Sequence, residues 1–270
     1  MNGPIKIVVC GALGRMGRMI IDGILSRDNL ILAGAVERAD HPSLGQNLGA
    51  LIGRPEVKAA LTSSLAEAGR GADVYIDFSS IESTMHHLGE AEEIGLAAVI
   101  GTTGLHAGQQ AHVKESGKKI PVLWAPNMSI GVSVMYKIAA AMTKMLGPDF
   151  DLEIVEAHHN QKKDAPSGTA VKLCEVLAEA RGLDPKKAMV CGRQGQVGAR
   201  ARDEIGVLAL RGGDIVGDHT IYFCGQGERL ELTHRAGSRE TFAQGAIRAA
   251  AWLAGKPAGF YGIDDTLSPA

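Results

Sequence analysis

A chain of 270 residues, 45% of them hydrophobic, can bury a sizeable core as one large or two small domains, which excludes a mainly disordered protein. A formal net charge of −2 gives no global pull toward nucleic acid or an anionic membrane surface. No apolar run is long enough to span a bilayer, the N-terminus carries no cleavage or transit pattern, and the four scattered cysteines (Cys10, Cys174, Cys191, Cys224) read as reduced core thiols, so a cytoplasmic protein is expected.

In chain order, residues 5–10 read as a buried strand. Residues 15–25 follow as a helix, with Met16, Met19, Ile20 and Ile24 at helical spacing. Residues 31–36, 74–78, 97–100 and 121–125 are four further strands. Strands separated by helical stretches predict βαβ units and a parallel sheet covered on both faces. The pattern changes at Pro126-Asn127. A long helix is expected over 129–146, an alternating strand over 150–159 and a helix over 170–180 that opens after Ser167. Strand-like runs at 205–211, 216–224 and 228–234 are joined by Gly/Asp-rich turns, which predicts an antiparallel or mixed sheet. A last Ala-rich helix over 242–253 is expected to return to the first domain. The fold class is therefore α/β: a Rossmann-like dinucleotide-binding domain over 1–126, completed by 240–270, plus a smaller α+β domain with a mixed sheet over 127–239.

Gly11-Ala12-Leu13-Gly14-Arg15-Met16-Gly17 lies between the first strand and the first helix. Glycines there allow a tight turn and let backbone amides approach a pyrophosphate, and the helix N-terminus favours an anion. The spacing is GxxGxxG, a variant of the usual fingerprint. Glu37, at the end of the second strand, suits the ribose hydroxyls of NADH, and Arg38 suits the 2′-phosphate of NADPH, so both cofactors are expected. Asp77-Phe78-Ser79-Ser80 and Gly101-Thr102-Thr103-Gly104 close the third and fourth strands, where small hydroxyl-bearing loops can line a nicotinamide ribose.

Residues 156–169 hold His158, His159, Lys162 and Lys163, followed by Pro166 and Ser167. If the strand continues, the two imidazoles point to opposite faces. Ser167 is a natural N-cap, and the amides of Gly168 and Thr169 in the next helical turn, with lysine nearby, form a carboxylate site. Zinc is not expected, because no cysteine or acidic partner stands at matching spacing. His86-His87 reads as surface.

These motifs, together with APNMSIGV over 125–132, EAHHNQKKDAPSGTA over 156–170, GDIVGDHT over 213–220 and TFAQGAIRAAAWL over 241–253, make the chain closely resemble the 4-hydroxy-tetrahydrodipicolinate reductase family of diaminopimelate and lysine biosynthesis over essentially its whole length. The resemblance implies hydride transfer from NADH or NADPH to C4 of a dehydrated cyclic imine dicarboxylate. It also implies a homotetramer assembled through the second domain. Mapped by motif, Gly11, Ala12, Leu13, Gly14, Arg15, Met16, Glu37, Arg38, Gly101, Thr102, Thr103, Ala125, Pro126, Asn127 and Met128 would hold the cofactor. His158 and Lys162 would be catalytic, with mutual repulsion lowering their pKa values. His159, Gly168 and Thr169 would bind substrate. Met128 stands where some relatives carry Phe.

Two other classes fit less well. An aldehyde dehydrogenase of the aspartate-semialdehyde type needs a nucleophilic cysteine, and no cysteine here has an obvious base beside it. A nucleotide sensor has no use for the histidine-lysine motif.

Overall fold

A computed structural model describes residues 3–267 and divides into two compact units: the chain up to Ile130 together with the segment from Glu240, and Gly131–Arg239. The first unit contains β1 (Ile5–Cys10), α1 (Arg15–Leu25), β2 (Leu30–Val36), α2 (Leu48–Ile52), β3 (Leu61–Thr62), α3 (Leu65–Ala68), β4 (Val74–Asp77), α4 (Ile81–Ile94), β5 (Ala97–Ile100), α5 (Ala107–Ser116) and β6 (Pro121–Trp124). α6 (Ile130–Leu146), β7 (Asp151–His158), α7 (Gly168–Arg181), α8 (Pro185–Ala188), β8 (Met189–Val190), β9 (Ile205–Arg211), β10 (Gly217–Cys224) and β11 (Arg229–Ala236) follow in the second unit. α9 (Glu240–Leu253) and β12 (Gly259–Tyr261) belong to the first again.

The first unit is a seven-stranded, all-parallel sheet in the order β12-β6-β5-β4-β1-β2-β3. Alternate residues of a strand face opposite sides. In β1, Ile7 and Val9 therefore enter the core under α1 and α9, while Val8 and Cys10 enter the core under α4 and α5. α9 packs closely on α1: a Cβ on Gly23 would lie 2.5 Å from Ile247 Cδ1. The chain runs outward from β1 through β2 to β3, then crosses to β4 on β1's other side. That reversal opens a crevice at the carboxyl ends of β1 and β4, where such sheets bind ligands.

The second unit is a mixed five-stranded sheet in the order β11-β10-β7-β9-β8, antiparallel between β11, β10 and β7 and parallel from β7 to β8. One face packs on α6 and α7 through Leu152, Ile154, Val207, Ile221, Phe223, Met135, Leu173 and Leu177. The other face is polar along β10 and β11, with Thr220 hydrogen-bonded to Thr233 at 3.1 Å. On β7 it carries Glu153, which accepts from Arg193 at 2.8 and 3.0 Å and from Arg200 at 2.9 Å. Ile221 and Phe223 thus belong to the covered face.

Several expectations are corrected. His87 is buried at 4% exposure, against the surface reading; His86 alone is exposed. Cys10 and Cys174 are core thiols as expected, but Cys191 is exposed. The strand expected through His159 ends at His158. No helix among the described residues is long and apolar enough to cross a membrane.

Candidate active site

At the end of β1 the backbone turns at Gly11, whose φ of +72° favours glycine, and the amides of Gly11 and Ala12 bond to Val36 O. A Cβ on Gly17 would sit 2.1 Å from Gly11 O and 2.7 Å from Ala12 O, so only glycine lets α1 start against this loop. The first-turn amides of Arg15 and Met16 have no acceptor within the helix, and no acidic side chain stands in that turn. The result is an amide-lined helix start that favours an anion. Glu37 is tied to the same loop: its Oε1 accepts from Leu13 N at 2.8 Å. Arg38 is exposed and pairs with Asp40 at 3.3 Å.

Across the crevice, the fully buried Asp77 uses both carboxylate oxygens. Oδ1 accepts from Ser79 N at 2.8 Å and from Ser79 Oγ at 2.5 Å, and Oδ2 lies 2.7 Å from His87 Nδ1. Asp77 O also accepts from Gly101 N, and a Cβ on Gly101 would lie 2.2 Å from the Phe78 ring. Thr102 is buried and bonded through its hydroxyl to Thr84 at 2.8 Å, whereas Thr103 is exposed. The glycine loop, Glu37, Phe78–Ser80 and Gly101–Thr103 are thus linked at one end of the sheet. Ala125 N bonds to Ile100 O, Pro126 is exposed, and Asn127 Oδ1 accepts from Ser129 N at 2.9 Å. Met128, expected to line the cofactor, is buried at 1% exposure in the core beneath α9, and a Cβ on Gly245 would lie 1.7 Å from its carbonyl oxygen. Its side chain is a packing group.

Among the described residues, Cys10, Asp77 and His87 bring potential metal-ligating atoms within 4.8 Å of one another. Both Asp77 oxygens and His87 Nδ1 already have partners, however. Burial, with Asp77's charge adding, holds the Cys10 thiol well above its ordinary pKa. Asp77 and His87 are a hydrogen-bonded pair, with the protonated thiol of Cys10 beside them.

In the second unit the histidine-lysine motif is organised by a carboxylate. Glu156, at 0% exposure, accepts from both Arg211 terminal nitrogens at 2.8 Å, from Ser167 N at 2.9 Å and at 2.6 Å from His158 Nδ1. Burial works to raise the Glu156 pKa, and the bonds from Arg211, His158 and Ser167 outweigh it, so the carboxyl is held below its ordinary value. Ser167 caps α7, its Oγ accepting from Ala170 N at 3.2 Å, and the same Oγ lies 3.0 Å from His219 Nε2. Burial pushes His219 down to about 4, which keeps it neutral at pH 7. His158 stacks edge-on with His219 at 5.2 Å between centroids.

Burial also lowers His158, Glu156 pulls it back up, and the charges of Lys162 and Arg211 lower it further. The direction is the expected one, but burial rather than repulsion leads. Lys162 is half-buried and grips both Asp164 oxygens at 2.9 Å, while Lys163 is exposed. His159 donates its amide to Ile215 O. Gly168 and Thr169 open α7 directly after Ser167. The structure therefore brings His158 and the start of α7 onto one carboxylate, with the Lys162 loop attached through Arg211, which also donates to Asp164 O at 2.7 Å.

Glu156, Arg211, Asp164 and His219 were not singled out by the sequence reading. Glu156 and His158 carry a local signal, since residues two apart on a strand share a face. Arg211 carries none.

Comparison with known proteins agrees over both units. The model of the dihydrodipicolinate reductase N-terminus matches residues 5–128, and that of its C-terminus matches 131–267. The 4-hydroxy-tetrahydrodipicolinate reductase of Anaeromyxobacter dehalogenans is 49% identical over 97% of both chains. That of Ralstonia nicotianae is 47% identical over 97% of this chain and 99% of its own. A solved dipicolinate-bound dihydrodipicolinate reductase from Paenisporosarcina sp. TG-14 superposes with a TM-score of 0.78 at 25% identity, covering 98% of this chain and 100% of the other. An amine dehydrogenase from Mycobacterium smegmatis, 13% identical with a TM-score of 0.62 over 97% and 96% of the two chains, shares the fold.

Proposed function

The chain belongs to the dihydrodipicolinate reductase family, and on that footing we propose how its residues carry out a reduction by a nicotinamide dinucleotide. The reaction is hydride transfer to C4 of the dehydrated cyclic imine dicarboxylate, giving tetrahydrodipicolinate, in diaminopimelate and lysine biosynthesis. Residues 1–126 with 240–270 bind the cofactor, and 127–239 bind substrate and oligomerise. The observation that carries this reading is the sharing of one buried carboxylate by His158 and Ser167, the N-cap of α7. It sets a proton-bearing imidazole beside amides suited to a carboxylate.

The residues of the first unit fit a dinucleotide. The Gly11–Met16 loop leaves no room for a Cβ at Gly17 and presents the Arg15 and Met16 amides to a pyrophosphate. Glu37 accepts from Leu13 N at 2.8 Å on Oε1 and from Arg38 N at 3.4 Å on Oε2, and Oε2, the more loosely held oxygen, is the one offered to ribose hydroxyls. Gly101, Thr102, Thr103 and the 125–127 backbone would flank the nicotinamide end, with Met128 contributing backbone only. When bound, the reduced nicotinamide supplies the hydride. The chain does the rest. Gly168, Thr169 and His159 hold substrate carboxylates. Lys162 stabilises the negative charge that develops on the ring, and His158 or Lys162 delivers the proton that the enamine-like anion requires.

Both NADH and NADPH are used, within about tenfold of each other, which corresponds to about 1.4 kcal/mol. The test is steady-state kinetics with the enzymatically generated cyclic substrate and each cofactor. Arg38→Ala is expected to raise the KM for NADPH more than that for NADH. An equal loss for both contradicts the assignment of Arg38, and no turnover of the cyclic substrate by the wild type rejects the function.

The enzyme is proposed to be a cytoplasmic homotetramer. Its four cysteines are free thiols, as a reducing compartment keeps them. α6 and α7 cover one face of the second sheet, and Leu210, pointing to the other, is 51% exposed. That face and the β11 edge are the surfaces through which copies would associate. Light scattering at micromolar concentration should give the mass of four chains; a monomeric mass contradicts this.

A further inference from the structure

We propose that Glu156 is a positioning residue that fixes the His158 imidazole in a single tautomer and holds it, the first turn of α7 and the lysine loop in one register. The inference rests on the reading above that His158 meets the substrate.

The tautomer follows from the chemistry of the partners. An ionised carboxylate only accepts hydrogen bonds. Glu156 already receives two from Arg211 and one from the Ser167 amide, three donors that cannot reverse role. The 2.6 Å contact to His158 Nδ1 is therefore an N–H donated by the imidazole. Nδ1 keeps its hydrogen, and Nε2 is left as the atom that gains or loses a proton. Local packing agrees. A Cβ on Gly217 would lie 3.0 Å from His158 Nε2, although Gly217 sits at the start of a strand without the positive φ that calls for glycine. The absence of a side chain there keeps the space beside Nε2 open.

The same carboxylate reaches further. Its Oε1 holds the Ser167 amide, which fixes where the Gly168 and Thr169 amides begin. Arg211, bidentate on Glu156, donates to the carbonyl of Asp164, whose side chain grips Lys162. Bidentate arginine–carboxylate pairing sets orientation as well as energy. A buried carboxylate with four donors thus ties together the end of β7, the start of α7 and, through Arg211, the lysine loop.

The first test reads the tautomer in the wild-type enzyme. Long-range 15N–1H correlation spectra of histidine-labelled wild-type enzyme, with the His158 signal assigned by its loss in His158→Gln, should show neutral His158 as the Nδ1–H tautomer. An Nε2–H tautomer overturns the proposal. The second test is the pH profile of kcat. An imidazolium donor is lost as pH rises through its pKa, and Glu156 stabilises the imidazolium. In Glu156→Gln the alkaline limb should therefore move about one unit to lower pH, with kcat about tenfold lower. Glu156→Asp should recover part of the shift. A Glu156→Gln enzyme that loses kcat with an unmoved limb marks a merely structural carboxylate and overturns the proposal. If His158→Ala keeps wild-type kcat, the reading of His158 itself fails, and the tautomer measurement still decides what Glu156 does to the ring.

Discussion

Replacing Lys162 or His158 with alanine is expected to cut kcat by about 10² or more in each case, the usual loss for a missing proton donor or electrostatic group. NADH affinity, measured separately by fluorescence, should change little, because the proposed cofactor residues lie in the other unit. Losing an interaction made only in the transition state lowers kcat, whereas losing uniform binding raises KM. Lys163 is the internal control. It has the same charge and adjoins Lys162, but it is exposed, while Lys162 is 19% exposed and bonded to Asp164. Lys163→Ala should stay within about threefold of wild type, as for a solvated lysine. If Lys163→Ala proves as damaging as Lys162→Ala, the loop acts as a diffuse basic patch and the assignment of specific groups is wrong. Asp164 makes the comparison sharper. A carboxylate on the Lys162 ammonium fixes that one cation in place, and among the described residues no carboxylate pairs with the exposed Lys163.

What could be read from the sequence followed from how local each physical requirement is. The glycine loop was legible because its constraints are steric and contiguous: Gly17 is forced by the carbonyl of Gly11, six residues earlier. The cap at Ser167 was legible because its acceptor and donor lie three residues apart. His87 was misread because it stands in a polar run, yet a signal existed. Thr84, His87, Leu88 and Ala91 are the buried residues of α4 and recur at helical spacing. Asp77, ten residues earlier, supplies the partner that makes burying an imidazole affordable. Glu156 was within reach through its alternation with His158, whereas Arg211 lies 55 residues away, and no spacing rule links the two. β3, β8 and β12 have two or three residues each, too few to establish a period of two. Their place is decided by the strand they join.

Gly17→Ala and Gly168→Ala should fail in opposite ways, and the contrast separates a glycine required by the fold from one required by a ligand. At Gly17 the added methyl meets backbone oxygens at 2.1 and 2.7 Å, atoms that cannot move aside as a side-chain tip would. Overpacking of this kind costs about 1–3 kcal/mol and shifts the backbone. The shift falls on the loop that would cradle the pyrophosphate, so Gly17→Ala should lower the melting temperature by several degrees and weaken NADH binding by about thirtyfold or more, about 2 kcal/mol. At Gly168 an added methyl meets nothing within 4 Å. Gly168 opens α7, where alanine is the better helix former by up to about 1 kcal/mol, and its φ is not in the left-handed range. The fold gives no reason for glycine there; close approach of a ligand to the backbone does. Gly168→Ala should therefore be at least as stable as wild type and bind NADH normally, while the KM for the cyclic substrate rises about tenfold. Thermal melts, NADH titration by fluorescence and substrate kinetics on the two variants decide it. An unchanged substrate KM in Gly168→Ala would remove the first turn of α7 from the substrate site, and normal NADH affinity in a folded Gly17→Ala would remove the glycine loop from the cofactor site.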